Sequence, residues 1–163
     1  ATQLATPNAD RTHDRSPFAV GAALERSFDQ TSGRLPTIGS EAVIDVARSW
    51  LGVPWRHQGR TRQGIDCAGL VVLVGRALGL SDYDTSAYGR RPQGQGFVQH
   101  FRACMNGVGI LQAQPGDVLV FADAAYPCHC GFLTTKHDQP HLLHAHALRR
   151  KVIEEPYAGE WPA

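Results

Sequence analysis

Residues 115–155 read PGDVLVFADAAYPCHCGFLTTKHDQPHLLHAHALRRKVIEE, and the reading of this stretch decides the fold. Pro115-Gly116-Asp117 is a turn signal, and Val118-Leu119-Val120-Phe121 behind it is an apolar run of strand length. A second run, His129 to Thr135, follows a loop that ends at Pro127. His137-Asp138-Gln139-Pro140 turns the chain into a third, His141 to Ala147, and Arg149-Arg150 turns it into a fourth, Lys151 to Glu155. Short strands joined by tight turns imply an antiparallel sheet.

Toward the N-terminus the period changes from strand to helix. Ser40 can cap a helix and Glu41 suits its positive end; Val43, Ile44, Ala47, Trp50 and Leu51 then have helical spacing, and Gly52 with Pro54 ends it. Residues 56–65 (RHQGRTRQGI) are polar, glycine-punctuated and aperiodic, which predicts a loop. Asp66 caps a second helix running through Leu70, Val71, Val74 and Leu78 to Gly79. It is apolar almost all round, so it is expected to be central and buried. A third, short helix is expected over 98–106, with Phe101, Cys104 and Met105 on one side. Helices grouped before a run of strands give an α+β fold, N-terminal helices packed on a small antiparallel sheet. Residues 1–36 are polar and broken by Pro7, Pro17, Gly33 and Pro36, so they read as an N-terminal arm, partner-binding or flexible, ahead of a compact domain over 37–163. Within the arm, Ser16-Pro17 can start a short helix through Phe28.

Composition narrows the functional classes. With 16 basic and 15 acidic residues the net charge is +1, which implies no basic surface for nucleic acid. No run approaches the roughly eighteen apolar residues of a membrane-spanning helix, and the first residues lack the basic stretch and apolar run of a secretory signal. A hydrophobic fraction of 42% suffices for one core. The four cysteines, Cys67, Cys104, Cys128 and Cys130, form no disulfide framework and read mainly as free thiols.

Cys67 is the sharpest chemical signal. Directly after the cap Asp66, it stands in the first turn of a buried helix, where backbone N–H groups and the helix dipole favour a thiolate. Ala68 and Gly69 are small enough to let a substrate reach the sulfur, and Gly64 permits the turn before it. The plain alternative is a small buried residue, as free cysteines often are. His129, at the start of a strand and near Gly131, is the best placed base, able to take a thiol proton and return it to a leaving amine. A satisfied edge histidine is the competing reading. An orienting partner for His129 falls on His144 or His146, which share a face, and spacing does not choose between them. Zinc is the rival use of Cys128, His129, Cys130, His137, His141, His144 and His146, but their spacing matches no zinc pattern, and no metal or other cofactor is expected.

These residues carry a resemblance to the NlpC/P60 cysteine peptidases, papain-like cell-wall hydrolases. It rests on Ala47-Arg48-Ser49-Trp50-Leu51-Gly52-Val53-Pro54-Trp55, Gly64-Ile65-Asp66-Cys67-Ala68-Gly69-Leu70-Val71, Pro115-Gly116-Asp117-Val118-Leu119-Val120-Phe121, His129-Cys130-Gly131-Phe132 and Leu143-His144-Ala145, in that order over residues 38–157. The resemblance implies a papain-like NlpC/P60 fold, Cys67 as nucleophile, His129 as base and His144 as orienter. It implies peptidoglycan stem peptides as substrates, whose carboxylates Arg56, Arg60, Arg62, Arg90 and Arg91 are candidates to meet; a solvated arginine face is the alternative. Arg56-His57-Gln58-Gly59, Asp82-Tyr83-Asp84 and Tyr88-Gly89-Arg90-Arg91-Pro92 resemble the branch linked to phage tails and gene transfer agents. That branch implies other tail proteins, hub or tip, as partners, a place on the tail of a virion or phage-like particle, and action in the periplasm or cell wall of the target cell. Two departures stand out: Trp55 occupies a position where many members have Tyr, and the family domain usually runs on into a further strand, whereas this chain stops at Ala163. A peptidoglycan endopeptidase is therefore expected; the alternatives are a related thiol amidase or acyltransferase, and a non-catalytic tail component that kept the fold.

Overall fold

The computed structural model describes residues 18–20, 38–90, 96–121 and 129–158. In chain order its elements are β1 (Phe18–Val20), α1 (Ser40–Arg48), β2 (Arg60–Thr61), β3 (Gly64–Ile65), α2 (Cys67–Ala77), α3 (Gly96–Arg102), a 3-10 turn (Ile110–Gln112), β4 (Val118–Phe121), β5 (His129–Lys136), β6 (Gln139–His146) and β7 (Lys151–Pro156). Five strands form one sheet in the order β1-β4-β5-β6-β7, every neighbouring pair antiparallel. Helices before an antiparallel sheet are the α+β arrangement expected. The β5–β6 connection lies where the sequence implied a turn over His137-Asp138-Gln139-Pro140 but is shorter, since Gln139 and Pro140 already belong to β6. His137 and Asp138 are both left-handed (φ 52 and φ 57), which matches the twist of the strands they join.

Strand alternation sorts the side chains onto two faces. Val118, Val120, Cys130, Phe132, Leu143, Ala145 and Val152 face the helices and form the main core with Ala47, Leu70, Val71 and Val74. Leu119, Phe121 and Leu142 form a smaller cluster on the opposite face. As expected, α2 is the central helix, and Gly79 (φ 65) follows its end in the left-handed conformation that suits a glycine.

Four expectations are corrected. Phe18–Val20 is not helical but a strand paired with β4, Phe18 opposite Val120. Aromatic and β-branched residues suit a strand, and the open backbone edge of β4 supplies a partner that no local signal reveals. Of the remaining arm, residues 1–17 and 21–37 lie outside the described residues, as does Cys128. The N-cap of α1 is Gly39, and Ser40 is its first helical residue. The loop over 56–65 contains a small hairpin, Arg60 opposite Ile65, too short to show a period. The third helix is Gly96–Arg102, earlier and shorter than expected.

One ion pair ties α1 to the sheet. Arg48 donates to Glu154 through Nη2 at 2.7 Å and through Nε at 3.2 Å, and Thr134 donates to the same carboxylate at 2.7 Å. Burial pulls the Glu154 pKa upward, but the hydrogen bonds from Arg48 and Thr134 win and hold it below the usual glutamate value. A depressed carboxyl pKa means that the unfolded chain binds the proton more readily, so the associated stability is present above the ordinary glutamate pKa and fades as pH falls through the lowered one. Glu154→Gln is expected to cost about 2 kcal/mol at neutral pH. In urea titrations the gap from the parent protein should close in acid.

Candidate active site

The site begins with the cap of α2. Asp66 is 2% exposed, and its Oδ1 accepts the Gly69 N–H at 2.8 Å, the bond that starts the helix. Its other oxygen accepts the Gln58 N–H at 2.6 Å and the Tyr88 hydroxyl at 2.9 Å. Arg60 Nη1 lies 3.2 Å from Oδ1 and also donates to the Gly59 carbonyl, while Nη2 reaches the Thr85 carbonyl and Nε the Asp84 carboxylate. This network ties the β2 hairpin and the 84–88 segment to the head of α2. Gly69 must be glycine, because a Cβ there would run into the carbonyl oxygen of Gly59. Burial raises the Asp66 pKa first, the nearby Cys67 sulfur adds to it, and the backbone amides pull the other way.

Cys67 is the first residue of α2 and half-buried. The Cys130 thiol, the His129 imidazole and the Cys130 backbone N–H all face its sulfur closely enough to stabilise the thiolate. Together with the positive potential of the His129 ring, these outweigh burial and bring the Cys67 pKa well below the ordinary thiol value. Cys130 moves the other way, kept a thiol by complete burial and by the adjacent Cys67 sulfur. Cys67 is therefore the thiolate of the pair and Cys130 its donor. Alternation along β5 puts Cys130 on the face opposite to His129; it comes to the sulfur because that helix-facing side of β5 is packed against α2.

His129 opens β5 opposite Phe121, whose ring lies 6.4 Å away at 30°. Its Nε2 is 2.7 Å from Nδ1 of His144. Spacing left His144 and His146 as alternatives; the structure brings His144 onto His129. Gly131 makes this approach possible, since a Cβ there would lie 2.8 Å from the Cβ of His144. His144 is 1% exposed, and burial, with the facing imidazoles of His129 and His146, pushes its pKa down to about 2. It is a neutral ring at working pH. Its far nitrogen, Nε2, lies 2.9 Å from Oε1 of Glu155, a neighbour that sequence reasoning missed. Strand register was the available signal: Leu142 stands opposite Glu155, which places Glu155 on the face that Leu142 shares with His144.

Two of the five candidate arginines have structural work instead. Arg60 is held by Asp66 and Asp84, and Arg62 lies 3.7 Å over the Trp50 ring and donates to the Ser49 carbonyl. Arg56 and Arg90 are exposed, and Arg91 lies outside the described residues. Trp55 stacks on His57, with centroids 6.5 Å apart. Among the described residues, no three His, Cys, Asp or Glu side chains form a metal-holding group. An apolar cleft lined by Val71, Val72, Tyr83, Phe97, Phe101 and Met105 lies along α2 and includes neither Cys67 nor His129.

The model of the NlpC/P60 family matches residues 52–162. The chain belongs to the NlpC/P60 family. That match takes in α2, the whole of β4 to β7, and every residue of the Cys67, His129, His144 and Glu155 array. The probable endopeptidase NlpC of Escherichia coli (strain K12) is 50% identical over 32 residues, which span 20% of this NlpC/P60 chain and 21% of that protein. The crystal structure of the NlpC/p60 domain of the peptidoglycan hydrolase SagA superposes with a TM-score of 0.53 at 18% identity, covering 73% of this chain and 90% of that one. At that identity the likeness is one of fold, and it agrees with the papain-like α+β expectation.

Proposed function

We propose that this chain is a peptidoglycan endopeptidase with Cys67 as nucleophile, His129 as general base and His144 as the residue that orients it. The observation that carries the reading is the array: a sulfur whose pKa is lowered by the adjacent His129, and a His129 whose Nε2 is engaged at 2.7 Å by a neutral His144. In this mechanism the Cys67 thiolate attacks the carbonyl carbon of a stem-peptide bond. The oxyanion takes hydrogen bonds from N–H groups of the first turn of α2, which have no partner within the helix. The C–N bond breaks as the His129 imidazolium protonates the leaving amine, leaving a thioester on Cys67. Water then gives a proton to His129 and attacks the thioester, releasing the acid and the thiol.

Family membership, together with the similarity to a probable endopeptidase of E. coli and to the peptidoglycan hydrolase SagA, supports the substrate class. The resemblance of the 56–59, 82–84 and 88–92 segments to tail-linked members supports a place on a phage-like tail tip, with other tail proteins as partners and the target cell wall as the site of action. On this reading residues 37–163 are the catalytic domain and residues 1–36 an arm toward the tail, with β1 anchoring the arm to the sheet.

The test is product analysis on purified peptidoglycan. An endopeptidase of this kind releases fragments cut at a D-Glu to diamino-acid bond. Free N-acetylmuramic acid ends in place of cut stem peptides would move the assignment to a thiol amidase. No release from any wall chemotype would favour a non-catalytic tail component.

A further inference from the structure

Glu155 is not a member of the array that the family resemblance implied, yet it closes its far end. His144 is buried between two polar partners, His129 Nε2 at 2.7 Å from its Nδ1 and Glu155 Oε1 at 2.9 Å from its Nε2. A neutral imidazole has one N–H and one lone pair, and an ionised carboxylate can only accept. The proton of His144 therefore sits on Nε2, donated to Glu155, and Nδ1 keeps its lone pair. That lone pair accepts the N–H of His129 Nε2. The one nitrogen of His129 left over, Nδ1, then carries the lone pair offered to the Cys67 thiol.

Without an acceptor at position 155 the two His144 tautomers lose their distinction. In the other tautomer His144 Nδ1–H donates to His129 Nε2, the proton of His129 moves to Nδ1, and the ring presents to the sulfur a nitrogen that cannot take a proton. The other groups near His144 do not supply the acceptor. His146 on the same strand lies ring to ring at 5.1 Å, and the residue opposite on β7 is Ile153. Asp66 is committed to Gly69, Gln58 and Tyr88.

We propose that Glu155 is a positioning residue that determines, through His144, which nitrogen of His129 is free to receive the proton of Cys67. The inference rests on Cys67 and His129 being nucleophile and base, and it deepens that reading: the array is a relay of two imidazoles terminated by a carboxylate. Glu155 touches no reacting atom. Its side chain is 25% exposed, so substitution leaves the core intact.

The experiment compares Glu155→Leu, which keeps the bulk without an acceptor, with Glu155→Gln, which keeps an acceptor oxygen without the charge. Alkylation of Cys67 by iodoacetamide, read on the Cys67 peptide by mass spectrometry between about pH 5 and pH 9, needs no substrate. In Glu155→Leu the onset of alkylation should move to higher pH, and kcat on wall fragments should fall by about tenfold or more with little change in KM. Glu155→Gln should recover most of both, at melting temperatures alike in all three proteins. An alkylation profile in Glu155→Leu that matches the parent protein, or equal losses in the Gln and Leu variants, overturns the tautomer role. The two readings fail separately. Wall release by Cys67→Ala would sink the nucleophile, whereas an inactive Cys67→Ala beside an unshifted Glu155→Leu would sink only the role of Glu155.

Discussion

Cys67→Ala is expected to lower the rate of stem-peptide release from purified walls at least about a thousandfold, because it removes the sulfur on which the proposed thioester forms and leaves only Cys130, a fully buried thiol with a raised pKa. On the proposed mechanism Cys67 is the nucleophile, and His129 and Cys130 act on it by stabilising its thiolate. The structural cost should be small: Cys67 is half-buried, alanine suits the first turn of α2, and the Asp66 cap is untouched. Two side effects follow from electrostatics. The Cys130 thiol loses the sulfur that helps to raise its pKa, and Asp66 loses a neighbouring negative charge, so both pKa values should fall in the variant. Parent-level lysis by a folded Cys67→Ala protein, shown by circular dichroism and a normal urea midpoint, would end the thiol mechanism.

The largest stability effect is expected at Asp66. Replacing it with Ala removes the acceptor of the Gly69 and Gln58 amides and of the Tyr88 hydroxyl, and leaves Arg60 with fewer partners in a half-buried position. A lost N-cap and several orphaned donors together predict about 3 kcal/mol, read as a lower urea midpoint at unchanged m-value. The pH dependence has the opposite sign to that of Glu154. The folded protein holds the Asp66 proton more tightly than the unfolded chain does, so the contribution is fullest in acid and declines as pH rises through the raised pKa. The parent-to-variant gap should therefore narrow with rising pH here and widen at Glu154. Activity should fall as well, since the same carboxylate holds the turn from which Cys67 projects.

How much of this was legible depended on how local each interaction is. The β5–β6 hairpin followed from the turn residues His137-Asp138-Gln139-Pro140 between two runs of strand character, although Gln139 and Pro140 prove to be part of β6. The head of α2 followed from Asp66 and the apolar residues after it. In contrast, β1 looked helical because Ser16-Pro17 is a sound helix start, and only the open edge of β4 makes a strand the better outcome. The β2–β3 hairpin, two residues a side, is too short for periodicity to register. Arg60 and Arg62 looked like substrate ligands, because nothing in their neighbours indicates that Asp66, Asp84 and Trp50 fold against them.

The amino-acid sequence by itself determined which residues are chemically capable and where each stands on its own element: a cysteine at a capped helix head, a histidine opening a strand, two histidines sharing the face of another. Those are properties of near neighbours, set by the 3.6-residue and two-residue periods and by the cap. Only the tertiary structure decided that His144 and not His146 meets His129, that Cys130 comes to the Cys67 sulfur, and that Glu155 stands behind His144. Each of those contacts crosses between strands or between helix and sheet. Its geometry is set by register and packing over the whole domain, and no local spacing encodes a distance across a sheet.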